Sequence, residues 1–191
     1  MSALAASLGL GLLGAPSRAQ NARSMGTRAS QNLASQNLAP ELVGSAWLNT
    51  SGQKPISLAS RRGKVTVVEF WTFACSNCRA NLPIYARLQR KFAGRGVEII
   101  GVHTPELPFE RDPKNVAEQV KQLGISYPVL LDPQSENWRR WNQKYWPTLY
   151  LVDKAGHVRG KWEGELNFGG ANGEAQVAQG IEKLLGEPSG A

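Results

Sequence analysis

Phe70-Trp71-Thr72-Phe73-Ala74-Cys75-Ser76-Asn77-Cys78 decides the fold, because a run that reads as a buried strand gives way here to one that reads as a helix. Upstream, Lys64 to Trp71 carries Val65, Val67, Val68 and Phe70, the β-branched and aromatic content of a central strand covered on both faces. Downstream, Cys78, Leu82, Tyr85, Leu88 and Phe92 recur at spacings of three and four. They give one apolar stripe on a helix from Cys75 to Phe92, with Pro83 predicting a kink. Both cysteines therefore stand at a strand-to-helix junction. There the unpaired N–H groups and the helix dipole favour an anion, which makes Cys75 the expected nucleophile. Cys78, one turn further in and more buried, is placed to attack a mixed disulfide formed on Cys75.

Working outward, Ala46-Trp47-Leu48 and Ile56-Ser57-Leu58 flank a Thr50-Ser51-Gly52-Gln53 turn and suggest an N-terminal β-hairpin. Val97 to Val102 reads as a second buried strand, and Asn115 to Leu123 as an amphipathic helix. Pro128 to Leu131 suits a short third strand or an extension, and Glu136 to Tyr145 a short helix carrying Trp138 and Trp141. Thr148 to Val152 and His157 to Glu163, joined at Asp153-Lys-Ala-Gly156, read as a hairpin, and Glu174 to Leu185 as a closing helix. The class is α/β, a mixed sheet flanked by helices. The glycine-rich stretch from Glu165 to Glu174 lacks the spacing of a phosphate-binding loop.

With 191 residues, 41% of them hydrophobic, the chain supports one domain, expected from 40 to 187. Its formal charge of +7 is scattered in ones and twos without a basic stripe interleaved with aromatics, which argues against nucleic-acid binding. Met1 to Gln20 holds an apolar run, Ala3 to Ala15, followed by Ser17 and Ala19. That is the pattern of a cleavable signal peptide over residues 1–19, although no Lys or Arg precedes the run. A periplasmic or otherwise exported protein is expected, with membrane contact only through an uncleaved N-terminus. Residues 20–39, polar and carrying a duplicated Ser-Gln-Asn-Leu-Ala, read as a flexible linker.

The cysteine pair closes too small a loop to staple a fold. Haem attachment needs a His directly after the second Cys, and Arg79 stands there. A zinc or copper site would have to recruit His103 and His157, which lack ligand spacing, so a metallochaperone is the lesser reading and no metal is expected. A peroxiredoxin-like thiol peroxidase is the other alternative, since Thr72-Phe73-Ala74-Cys75 satisfies a bare T-x-x-C. No cofactor is expected beyond a redox-active Cys75–Cys78 pair.

Several segments resemble the thioredoxin-like proteins of the TlpA and ResA type, and especially the soluble domain of DipZ-type proteins. They are Gly63-Lys64-Val65 leading into Phe70-Trp71-Thr72, the Cys75–Cys78 motif, Gly101-Val102-His103-Thr104-Pro105-Glu106, and Tyr145-Trp146-Pro147 before the strand Leu149 to Asp153. The resemblance runs from about Pro40 to Leu185. It implies a thioredoxin fold and dithiol–disulfide exchange with protein thiols and disulfides outside the cytoplasm, fed by an upstream donor or acceptor, in a monomer. It further implies a cis Pro147 against the dithiol, where an ordinary trans proline is the competing reading. It also implies a buried acid at Glu69 that exchanges a proton with Cys78, where a salt-bridged strand residue competes. His103 and Glu106 fall at the carboxyl end of the sheet and suit either a substrate groove or a solvated loop. Trp71, Phe73 and Trp146 suit either an apolar rim for an extended peptide or ordinary core packing. Ser76-Asn77 departs from the Gly-Pro of thioredoxin and lacks the histidine of strong oxidants, which leaves the direction of electron flow open.

Overall fold

The computed structural model describes residues 38–188. The apolar run Ala3 to Ala15 and nearly all of the expected linker lie outside them. Among the described residues no helix is long and apolar enough to cross a membrane.

The strands are β1 (Trp47–Leu48), β2 (Val65–Trp71), β3 (Val97–His103), β4 (Val129–Leu131), β5 (Thr148–Val152) and β6 (Val158–Glu163). The helices are α1 (Ser76–Lys91), α2 (Pro113–Gln122), α3 (Glu136–Arg140) and α4 (Gly173–Gly186). One sheet runs in the order β1-β4-β3-β2-β5-β6, with β2, β3 and β4 parallel and the other pairings antiparallel. Parallel neighbours require crossovers. Accordingly α1 joins β2 to β3 and α2 joins β3 to β4, which places the ends of β2 and β3 at the same edge of the sheet.

Alternation along the strands divides the core. Val65, Val67, Trp71, Ile99, Leu149 and Leu151 pack with Cys78, Tyr85 and Leu88 of α1 and Ile181 of α4. Val68, Phe70, Ile100, Val102 and Tyr150 face the opposite way, against Trp47, Leu58 and Trp141. Two bidentate ion pairs, Arg87 of α1 with Glu174 and Arg95 of the turn after α1 with Glu182, reach α4 two turns apart. The α1 helix continues through Pro83.

Two local expectations are corrected. The N-terminal hairpin does not form: β1 pairs with β4, Trp47 opposite Leu130 and Leu48 opposite Val129, while Ile56 to Leu58 makes no strand. The reason is a partner distant in sequence. Asn49 takes a left-handed conformation (φ 59°) and its side-chain amide donates to the carbonyls of Ile125 and Tyr127, at 2.8 and 3.0 Å. Those bonds draw the chain to the free edge of β4, and Ser51–Gln53 closes as a 3-10 turn instead of a hairpin loop. The helix expected from Glu136 to Tyr145 stops at Arg140, just before Asn142 turns left-handed (φ 49°).

Candidate active site

Cys75 is the N-cap of α1, in an extended backbone conformation, and its Sγ accepts the Cys78 N–H at 3.2 Å. No acidic residue occupies the first turn of α1, so the positive end of the helix dipole at Cys75 is unopposed from within the helix. The two cysteines form a disulfide, with Cα atoms 5.3 Å apart. Cys75 is half-buried and Cys78 fully buried, so an incoming group meets Cys75 first.

Glu69 is completely buried, on the face of β2 that carries Val65, Val67 and Trp71 and packs against α1. Its Oε1 accepts the Tyr127 hydroxyl at 2.6 Å, and its Oε2 has no hydrogen-bond partner. Burial pushes its pKa up to about 8, against weaker opposing contributions from the Tyr127 and Tyr85 hydroxyls. The strand opposite carries Gly101, paired with Glu69. A Cβ there would lie 3.3 Å from Oε1 of Glu69, 3.2 Å from the Tyr127 ring and 3.0 Å from Nε1 of Trp71. The glycine leaves the space these groups occupy.

Pro147 follows a cis peptide bond from Trp146 and is buried just ahead of β5. Thr148 pairs with Phe70, which sets Pro147 level with Trp71 at the sheet edge where β2 leads into Cys75. Trp146 is half-buried, stacked on Trp138 at 3.9 Å between centroids, with its Nε1 donating to the Thr104 carbonyl at 3.1 Å.

The remaining positions are distributed differently from the expectation of a rim and groove. Trp71 is fully buried with its Nε1 unpaired, so it is a core side chain and not part of a rim. His103 is 1% exposed, stacked under Phe73 and edge-on to Trp71, and does not line a groove. Burial lowers its pKa to about 4, against the nearby Glu110 carboxylate, so its ring is neutral at pH 7. Glu106 is exposed, on the loop that follows β3. Phe73 is nearly buried, and its outer side meets Phe109 at 5.7 Å. The apolar groups that do reach solvent on these two loops are Leu107, Phe109, which is 52% exposed, and Tyr145.

Strand-to-helix dithiol, half-exposed first cysteine and cis-proline loop occur in a chain whose residues 36–161 match the model of the AhpC/TSA family. The chain belongs to the AhpC/TSA family. Among its relatives, DipZ of Mycobacterium tuberculosis is 44% identical over 147 residues, covering 76% of this chain and 20% of DipZ. The chain thus spans a fifth of that relative's length. The thiol-disulfide oxidoreductase YkuV of Bacillus subtilis is 25% identical over 78% of this chain and 94% of its own. A crystal structure of a thiol:disulfide interchange protein of the thioredoxin family, from Chlorobium tepidum, superposes with a TM-score of 0.61. It is 28% identical and is matched over 78% of this chain and 97% of its own. The fold is the thioredoxin-like fold.

Within this AhpC/TSA domain a second buried acid beside the dithiol loop, Glu110, carries no signal in the sequence that sets it apart as part of the site. Glu110 lies in the 3-10 turn Pro108–Arg111 and is 1% exposed. Its Oε1 accepts the Thr72 hydroxyl in a short bond and the Ala74 N–H at 2.9 Å. Its Oε2 accepts the N–H groups of Glu106 at 2.9 Å and Leu107 at 2.8 Å. Burial alone would raise its pKa, but these donors outweigh burial and hold it below the ordinary carboxylate value. A proline at the first position of the turn and an acid at the third are half of a capping box, a signal of the turn alone. Among the described residues no group of three His, Cys, Asp or Glu side chains is arranged to hold a metal ion.

Proposed function

We propose that this protein is a thiol-disulfide oxidoreductase acting on protein disulfides through Cys75 and Cys78, with no cofactor beyond the dithiol. The carrying observation is the asymmetry of the pair: Cys75 half-exposed at the head of α1, Cys78 buried behind it. In the reducing direction the Cys75 thiolate attacks one sulfur of a substrate disulfide, forming a mixed disulfide and releasing the other sulfur as a thiolate that takes up a proton. Cys78, deprotonated, then attacks Cys75 Sγ. The second substrate thiolate leaves, and the Cys75–Cys78 disulfide carries the two electrons' worth of oxidation. An upstream donor restores the dithiol.

Glu69 suits the second step. A carboxyl with a pKa of about 8 lies close to the ordinary thiol value of about 8.5, so a proton passes between Cys78 and Glu69 at little cost. Pro147 and the stacked Trp146 form the wall beside the dithiol, and Leu107, Phe109 and Tyr145 offer an apolar margin to an extended substrate segment. Phe73 serves as the floor of that margin, and Glu106 as its exposed acidic edge.

A peroxidase reading gains less support, because the Thr72 hydroxyl is engaged by Glu110 and lies 3.3 Å from Nε2 of His103. Export from the cytoplasm is part of the proposal, supported by the Ala3 to Ala15 run with Ser17 and Ala19 and checked by the mass of the mature N-terminus.

Purified protein is expected to reduce insulin with dithiothreitol as donor, and Cys75→Ser to abolish that activity. Undiminished turnover in the variant would refute the mechanism, and peroxide consumption in place of insulin reduction would transfer the site to the peroxidase class. The potential of the couple assigns direction: about −270 mV marks a reductant and about −120 mV an oxidant.

A further inference from the structure

The dithiol loop is held by a residue distant in sequence. Glu110 takes all four of its hydrogen bonds from two segments: Thr72 and Ala74, which lead directly into Cys75, and Glu106 and Leu107, which lead into the turn carrying Phe109. The acceptor is 1% exposed and the Thr72 hydroxyl equally buried, while the N–H groups at 74, 106 and 107 belong to exposed residues that turn inward to it, so the carboxylate fixes where both loops sit. The Ala74 N–H that it binds belongs to the residue immediately before the nucleophile.

We propose that Glu110 is a positioning residue of the redox site, a buried anion that locks the turn ahead of Cys75 and opposes the α1 dipole, making the Cys75 thiol less acidic than the dipole alone would. This rests on Cys75 being the reacting thiol. The first turn of α1 contains no acid, so the opposing charge comes from outside the helix. Charged and titratable groups facing Glu110 are few. His103 from β3 reaches it through the Thr72 hydroxyl and is neutral at pH 7. Glu106 and Arg111 belong to its own loop and turn and are exposed, and Cys75 heads α1.

Thr72 donates its hydroxyl hydrogen to Glu110, so it accepts from His103 Nε2. The hydroxyl therefore supports the anionic form of one neighbour and the protonated form of the other. Removing it shifts the two titrations in opposite directions: Glu110 upward and His103 downward.

The test measures alkylation of Cys75 by iodoacetamide in the reduced protein, followed by mass spectrometry, a readout independent of insulin turnover. Absence of turnover would bear on the proposed function, whereas an unshifted alkylation profile bears on Glu110. Glu110→Gln removes the charge and is expected to raise the alkylation rate at pH 6 about threefold or more, by lowering the thiol pKa. Thr72→Val keeps the charge and is expected to leave that rate within about a factor of two while lowering thermal stability. Equal rates in Glu110→Gln and the parent, or the same acceleration in both variants, would overturn the proposal.

Should Glu110→Gln not fold, the parent and Thr72→Val suffice with 4,4′-dithiodipyridine, which stays reactive in acid. The parent is expected to show a second inflection in log rate below the thiol's own, and Thr72→Val to move it to higher pH. A single inflection in both, or a move to lower pH as a His103 titration would give, refutes the role of Glu110.

Discussion

Glu69 and Glu110 are both buried carboxyls on either side of the segment that delivers Cys75, and they are driven in opposite directions. Glu69 receives one phenolic hydrogen bond to Oε1 and leaves Oε2 bare, so burial dominates and its pKa rises to about 8. Glu110, no more accessible, receives four bonds, three from backbone N–H groups, and its pKa falls below the ordinary value. The donors separate them, helped by a smaller burial penalty at Glu110, which is less deeply seated than Glu69. One residue type thereby takes two charge habits in this fold: a carboxyl that holds its proton to about pH 8 at Glu69 and one that gives it up more readily than usual at Glu110.

The largest effect falls on the heavily bonded acid. Glu110→Ala strands three N–H groups and a hydroxyl in the loops around the dithiol, and should cost about 3–5 kcal/mol of stability in chemical denaturation. A loss under about 1 kcal/mol would mean that water replaces the carboxylate and that the two acids are not opposites.

Next comes Glu69→Gln. A carboxyl whose folded pKa is raised from 4.5 to about 8 contributes stability that is full below pH 4.5 and is lost as pH rises toward 8. The variant should abolish this decline, and it should slow insulin reduction about tenfold or more if the acid exchanges a proton with Cys78. Denaturation midpoints from pH 4 to 9 and steady-state rates give the two readouts. An unchanged pH slope would place Glu69 with ordinary exposed acids.

Strands β2, β3 and β5 and helices α1, α2 and α4 were legible in the sequence to within a few residues, because their signals are local periodicities: the valine-rich run before Trp71, the three-and-four stripe after Cys78. What failed depended on distant partners. Trp47-Leu48 reads as half of a hairpin until Asn49 finds the carbonyls of Ile125 and Tyr127. Trp71 and His103 carry polar atoms that suggest a surface role, yet their neighbours across the parallel pairing and the covering ring of Phe73 bury both. Glu110 looks like a solvated turn residue in Pro-Phe-Glu-Arg, since two of its donors lie 36 and 38 positions away. Glu69 was visible only through the resemblance, as nothing in the run Val65 to Trp71 distinguishes a buried acid from a salt-bridged one.

The smallest effect refines the contrast between the two acids. If donor number governs charge state, removing the one hydrogen bond that Glu69 accepts in this structure should move it further from Glu110. Tyr127→Phe deletes that phenolic donor with little change in volume, while Tyr85, whose hydroxyl is approached by the Asn81 amide at 3.4 Å, still opposes the rise. The shift is therefore partial: about half a unit to one unit upward, or about 1 kcal/mol between the two protonation states. Carbon-detected NMR of the Glu69 carboxyl in the disulfide form reads the midpoint directly. A midpoint at or below that of the parent would show that the phenol orients the neutral acid instead of stabilising the anion, and donor count would then fail as the rule separating the two carboxyls.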